Sequence, residues 1–331
     1  MISTDEVRML ADTVAKVLDD TPRGELLATL DELGWFELWS AEPRAAARAL
    51  FGQQGRLAPR TSPTLFPLLG ARALGLEEDL AQAPPALLPR LDGFTDGFVA
   101  PEPDGSVVAL GQLDALDAAE RAVLPVALPD GPALLAVPVA GLDRLPVTGL
   151  DPELGLCRVV MGEQALRGAD RVAVGAPARE SWAEAVAVGQ RLLAEELLGV
   201  VAEQLRLALD HARSREQFGR PIGSFQAVKH KLAEVHASVT VAELAVHEAW
   251  LDPRPLVAGL AKLLANRAVE VANTHCQQVL GGIGFTWEHS FHWYLRRGRV
   301  LAALLGSRAQ LTGRLGADCI ARRALPVVAR L

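Results

Sequence analysis

Two stretches decide the reading of this chain: Arg213-Ser214-Arg215-Glu216-Gln217-Phe218-Gly219-Arg220-Pro221-Ile222, with Phe225-Gln226 just after it, and Gln278-Val279-Leu280-Gly281-Gly282-Ile283-Gly284-Phe285-Thr286. Both are breaks between helices. The first ends a long apolar-periodic run that begins near Glu180, because Gly219 and Pro221 cannot continue a helix. A second helix is predicted from Ser224, read as its N-cap, through to Trp250. A third runs from Pro255 to about Leu280, where the glycine pair stops it, and at least one more helix follows. Long consecutive helices with short connections make residues 178–331 a helical bundle.

Outward from there the character changes twice. Residues 84–177 hold twelve of the 21 prolines, with Pro-Asp-Gly turns at Pro103 and Pro129. Short apolar runs lie between the turns: 106–110, 122–128, 132–139 and 157–162. They read as strands of a small β domain. Residues 1–83 return to helical spacing, with Val7, Leu10, Val14 and Leu18 on one face and Ser3 or Thr4 as the first cap. The fold class is therefore α+β, mostly α, in three stretches: helical 1–83, β 84–177, helical 178–331.

Composition narrows the function. Half of the residues are hydrophobic and 22% are charged, a globular balance. A net charge of −7 offers no basic surface to nucleic acid or an anionic membrane. No apolar run is long enough for a transmembrane helix, and the N-terminus lacks a signal pattern, so a cytoplasmic location is expected. Cys157, Cys276 and Cys319 are scattered without a CxxC pair, which argues against a disulfide scaffold or a zinc site. Cys276, inside a predicted helix, reads as a small buried hydrophobe. His289 and His292 are three apart beside Glu288, but no third ligand is evident, and interface or capping roles are expected.

The two opening blocks, and the distance between them, together resemble the signature of acyl-CoA dehydrogenases. The helix, Pro-rich β, helix order is similar to that family's fold of N-terminal helical domain, middle β domain and C-terminal four-helix bundle. The resemblance implies that Arg215, Phe218, Gln226, Gln278, Gly281 and Gly282 hold the adenine–pyrophosphate part of FAD, and of the FAD of a neighbouring subunit. The chemistry of these residue types suits that role. A guanidinium clamps a pyrophosphate bidentately and stays charged. Phe218 offers flat apolar surface and Gln226 both donor and acceptor. Gly281-Gly282 removes two Cβ atoms, so that the backbone can approach a phosphate or ribose closely.

The family reaction, α,β-dehydrogenation of an acyl-CoA thioester, needs a Glu to remove the α proton. Its usual position falls on Leu305 here, and the alternative position, on the helix before Arg215, falls on Gly189. Neither side chain takes a proton, so no catalytic residue is assigned. Glu195 and Glu196 lie about two turns further along that helix and read as exposed surface carboxylates. The β domain is also reduced: Pro101-Glu102-Pro103-Asp104-Gly105-Ser106 reads as a plain hairpin turn, and no Trp occurs between Trp39 and Trp182.

The side that would reach a neighbour is thus intact and the side that would cradle the chain's own flavin ring is eroded. The resemblance then implies a subunit of a heteromeric acyl-CoA dehydrogenase of α2β2 type, as in actinobacterial steroid side-chain breakdown. A homologous partner would carry the Glu base and most of the acyl-CoA site, and the FAD would be shared across the interface. Two alternatives stay open: a self-sufficient homo-oligomer with an unusual base or non-redox chemistry, and a flavin-free structural relative.

Overall fold

The structure is a computed structural model that describes residues 4–22, 25–57, 64–76, 83–91 and 97–322. Ser3 lies outside these. The chain forms two compact units, one of residues 1–46 and 60–190, the other of residues 47–59 and 191–331.

In the first unit, helix α1 (Thr4–Asp20) buries Val14 and Leu18, the face that its spacing predicts. Two short helices follow, α2 (Leu26–Glu32) and α3 (Trp35–Ala41). Trp35 is buried and donates its indole N–H to the carbonyl of Ala46 at 3.1 Å, in helix α4 (Pro43–Arg56). Helix α5 (Leu65–Leu74) is buried along nearly its whole length, and its Gly70 is obligatory: a Cβ there would lie 1.7 Å from the Pro84 carbonyl oxygen.

The β region contains β1 (Val107–Gln112), β2 (Arg121–Leu128), β3 (Gly131–Pro138), β4 (Asp143–Pro146), β5 (Leu156–Met161) and β6 (Asp170–Val174). They form two three-stranded antiparallel sheets, ordered β1-β5-β4 and β2-β3-β6. Alternate residues such as Val107, Ala109, Leu124, Val126, Leu135, Val137, Cys157 and Val159 share one buried core. All four apolar runs read from the sequence are strands. Strands β4 and β6, and the short helices α6 (Leu113–Asp117) and α7 (Glu163–Arg167), carry no apolar run and escaped that reading. Pro129-Asp130 joins β2 to β3 with Leu128 opposite Gly131. Pro101 to Ser106 is the plain turn expected: Asp104 Oδ1 accepts from the Ser106 N–H and hydroxyl at 2.9 and 2.7 Å, and Gly105 takes φ 79°.

The second unit is a bundle. Helix α8 (Ala176–Ser214) enters it at Arg191, followed by α9 (Gln226–Leu251), α10 (Pro255–Leu280), α11 (Phe291–Ala303) and α12 (Arg308–Arg322). Helices α9 and α10 pack along each other, and α10 also packs on α11 and α12. Pro255 occupies the first turn of α10, where its missing N–H costs nothing. Ser224 is not the N-cap of α9. It closes a one-turn 3-10 segment, Ile222–Ser224, and extended Phe225 takes the cap position without a side-chain bond. Among the described residues no helix is long and apolar enough to cross a membrane.

The surface reading of Glu195 and Glu196 is overturned: both are buried, as is every residue from 191 to 200. A helix apolar on all sides lies inside a bundle, and charged residues in its run go inside with it. Glu196, 1% exposed, faces Arg297 of α11, also 1% exposed, at 3.6 Å. One turn on, Gly199 meets the Gly52 backbone of α4: a Cβ on Gly199 would stand 2.2 Å from the Gly52 carbonyl oxygen, and one on Gly55 would stand 2.0 Å from that of Glu196.

Candidate functional site

The last turn of α8 hands the chain to a tight hairpin. Strands β7 (Glu216–Gln217) and β8 (Arg220–Pro221) pair antiparallel across the two-residue loop Phe218-Gly219. Both loop residues have positive φ, 53° and 74°, as a two-residue hairpin loop demands. The hairpin is tied back by the Arg215 N–H donating to His211 O and the Ile222 N–H donating to Arg215 O, at 2.9 and 2.8 Å. Gly223 is needed where the chain passes α8, since its Cβ would lie 2.9 Å from the Ala212 carbonyl oxygen.

This geometry turns the candidate residues outward. Phe218 is 93% exposed, although it packs edge-on to Phe225 with ring centroids 6.1 Å apart. The Arg220 guanidinium lies over the other aromatic ring, 4.3 Å from the Phe225 centroid. Arg215 is exposed and its guanidinium has no ion pair or hydrogen bond among the described residues. Gln226 opens α9 and is exposed as well.

The second block ends α10. Gly281 takes φ 62°, and a 3-10 segment, Gly281–Phe285, carries the chain to α11. Gly281 and Gly282 have open space where a Cβ would stand, whereas Gly284 is packed against Gln277. Gln278 is exposed one turn before the break. The two blocks meet electrostatically at His211 on the last turn of α8. Burial holds its imidazole below the usual histidine range, and His289 and Arg215 both push it lower. Arg215 of the first block and His289, just past the second, are therefore neighbours of one side chain.

The aromatic run after the glycines is outward too. Phe285 is 78% and Trp287 74% exposed. His292 sits between Trp287 and Trp293, with centroids 4.5 and 4.6 Å away, and His289 Nδ1 accepts from the Phe291 N–H at 3.1 Å. Burial lowers both imidazoles. Among the described residues no three His, Cys, Asp or Glu side chains gather as metal ligands. Cys276 is fully buried in α10, and burial pushes its thiol up to about 12, so it is an unreactive core residue.

Gly189 and Leu305 are the positions where the family resemblance would place a catalytic Glu. Gly189 is buried in α8 and Leu305, 3% exposed, lies in the corner between α11 and α12. What sequence reasoning missed is the polar interior of the bundle: Glu196, Lys262, Asn266 and Arg297 are all buried. Lys262 is fully buried and burial pushes it down to about 7. The available signal was its setting, Ala258-Gly259-Leu260-Ala261 before it and Leu263-Leu264-Ala265 after it, which surrounds the lysine with apolar residues on both sides.

The residues suited to hold a flavin dinucleotide are thus a free guanidinium, two free amide side chains, an exposed phenyl ring and an open two-glycine backbone. That set fits an anionic, aromatic ligand.

Comparison with known proteins bears on the family and fold of this region. Residues 183–319 match the family model described as acyl-CoA dehydrogenase, C-terminal domain. "Acyl-CoA dehydrogenase IpdE2" of Mycobacterium tuberculosis is 41% identical over 127 residues, 38% of this chain and 40% of that protein. The matched stretch is thus about two fifths of the relative's length. Of solved structures, a "Tcur3481-Tcur3483 steroid ACAD" variant superposes with a TM-score of 0.77 at 22% identity, covering 96% of this chain and 98% of the other. The ChsE4-ChsE5 complex from Mycobacterium tuberculosis gives a TM-score of 0.73 at 20% identity, covering 98% and 99%.

Proposed function

We propose, from the premise that residues 183–319 are an acyl-CoA dehydrogenase C-terminal domain in a chain of that family's fold, that this protein is the non-catalytic subunit of a heteromeric acyl-CoA dehydrogenase. Its own residues supply half of a flavin site. Arg215 holds pyrophosphate charge, Phe218 covers a flat ring, Gln226 and Gln278 bind polar edges, and Gly281 and Gly282 lend backbone N–H groups. FAD, when bound, supplies the hydride acceptor. A homologous partner carries the Glu that takes the α proton and most of the acyl-CoA pocket. An α2β2 assembly in the cytoplasm is the arrangement proposed.

The observation that carries this reading is the contrast within one chain. Arg215, Phe218, Gln226, Gln278 and Gly282 are exposed, yet the two positions where a base is expected, Leu305 and Gly189, are apolar and buried. A complete active site needs a proton acceptor in reach of the substrate. The names of two structural neighbours support a substrate class: the Tcur3481-Tcur3483 protein is named a steroid ACAD, and ChsE4-ChsE5 is named a complex. A CoA thioester of a steroid side chain is therefore the proposed substrate.

The test is flavin content and turnover of the chain purified alone and co-expressed with a homologue that carries a Glu at either base position. Alone it is expected to be colourless and without acyl-CoA-dependent dye reduction. Co-purified, it yields a yellow, active complex, and Arg215→Ala weakens FAD binding by that complex about tenfold, the loss of one charge-assisted clamp, so that its flavin content falls. Stoichiometric FAD and turnover by the chain alone would overturn the reading. Unchanged flavin occupancy in the Arg215→Ala complex would remove the clamp from it.

A further inference from the structure

Among the described residues two non-glycines take positive φ, Phe218 and Leu305, both at 53°. For Phe218 the hairpin explains it. Leu305 is a turn residue too: with the extended C-cap Leu304 it forms the turn between α11 and α12, before Gly306 at φ 114°, but it fills a turn position that glycine or asparagine ordinarily takes. A leucine in the left-handed region is strained, and it persists there only where the surroundings over-determine it.

The surroundings here are two buried residues one turn apart on α10. The Lys262 ammonium donates to Asn266 Oδ1 at 2.7 Å, to Leu301 O at 3.1 Å and to Ala302 O at 3.3 Å. Asn266 Nδ2 donates to Ala302 O at 3.1 Å and to Gly306 O at 3.3 Å. One end of this brace grips the last turn of α11, whose free carbonyls and dipole favour a cation. The other end grips the carbonyl just after Leu305. Beyond it, Ser307 and Gln310 cap α12 reciprocally: Gln310 Oε1 accepts from the Ser307 N–H at 2.9 Å and Ser307 Oγ from the Gln310 N–H at 3.4 Å. The backbone is thus pinned on both sides of residue 305.

The means are expensive for the end. A fully buried lysine carries a desolvation cost that an apolar residue of similar length avoids. Its three donors go to an amide and two main-chain carbonyls, and burial is the sole cause of its lowered pKa. Such a group contributes conformational specificity.

We propose that Lys262 and Asn266 are positioning residues, a buried brace that holds residue 305 in its left-handed conformation at the α11–α12 corner. That 305 is the place of a catalytic carboxylate in related chains rests on the function proposed above; the brace itself rests on the geometry alone. On that reading this chain has kept the mounting of the base while replacing the base by leucine.

The test is hydrogen–deuterium exchange of the full-length chain, followed by mass spectrometry. It uses no activity and no flavin, so its failure is separate from failure of the functional proposal. In Asn266→Ala and in Lys262→Met, peptides covering 301–310 are expected to exchange about tenfold faster, while peptides from α8 and α9 keep their protection. General destabilisation raises exchange across the whole chain, whereas loss of the brace raises it only at the α11–α12 corner. Unchanged exchange at 301–310, or a uniform rise across the chain, would each overturn the brace.

Discussion

At the scale of single residues, the bundle interior carries charge that a surface reading places outside. Glu196 and Arg297 are both 1% exposed and 3.6 Å apart. Each substitution takes one charge out of a buried polar interior, so Glu196→Leu or Arg297→Leu is expected to cost about 3–5 kcal/mol, and the double substitution is expected to cost less than the sum because the two side chains are neighbours. Urea unfolding of the three variants checks this; additive single costs would show that the two side chains do not act as a pair. Lys262 makes a pH prediction. Its pKa falls to about 7 in the folded chain, from 10.5. Between those values the unfolded chain binds more protons, so stability linked to this group rises with pH across that window and is lowest below about 7. The advantage of Lys262→Met in global stability is therefore greatest below pH 7 and shrinks by about 1.4 kcal/mol per pH unit, at most, above it. Melting curves of both proteins across pH 6 to ~10 measure it; an advantage that does not change with pH would mean that the lysine is not buried as a cation.

At the scale of elements, glycine decides how closely α4 and α8 approach. Gly52, Gly55 and Gly199 let the two backbones touch, and no rotamer change makes room for a Cβ 2.2 Å from a carbonyl oxygen. Gly199→Ala is expected to destabilise by roughly 2–3 kcal/mol or more, despite alanine's better helix propensity. Chemical denaturation gives the value, and a neutral or stabilising outcome would refute this close crossing. The helices themselves were largely legible. Pro255 and Gly281 bound α10 where the spacing put its ends, and Gly219-Arg220-Pro221 marks the break before α9. The cap of α9 was not legible, because Ile222–Ser224 winds one 3-10 turn and moves the start to Phe225, a choice made by the fit of Gly223 against Ala212. In the β region short apolar runs between turns revealed β1, β2, β3 and β5, while exposed β6, with Val172 and Val174 each about half exposed, has no buried face to announce it.

At the scale of the whole molecule, the sequence by itself determined the order of helical, β and helical stretches, the bundle at the C-terminal end and the identity of the two breaks that carry the flavin-contact candidates. It could do so because glycine, proline and apolar period act locally, within a turn or two of chain. It also put Leu305 and Gly189, neither able to take a proton, where the resemblance would place a base. Only the tertiary structure decided that Glu195 and Glu196 are interior, because burial depends on what packs around a helix and α8 is enclosed along residues 191–200. Only the tertiary structure brought Arg215 and His289 to one neighbour, His211. It alone joined Lys262 to carbonyls of residues 301 and 302, because hydrogen bonds across that sequence separation exist only once α10 and α11 have packed.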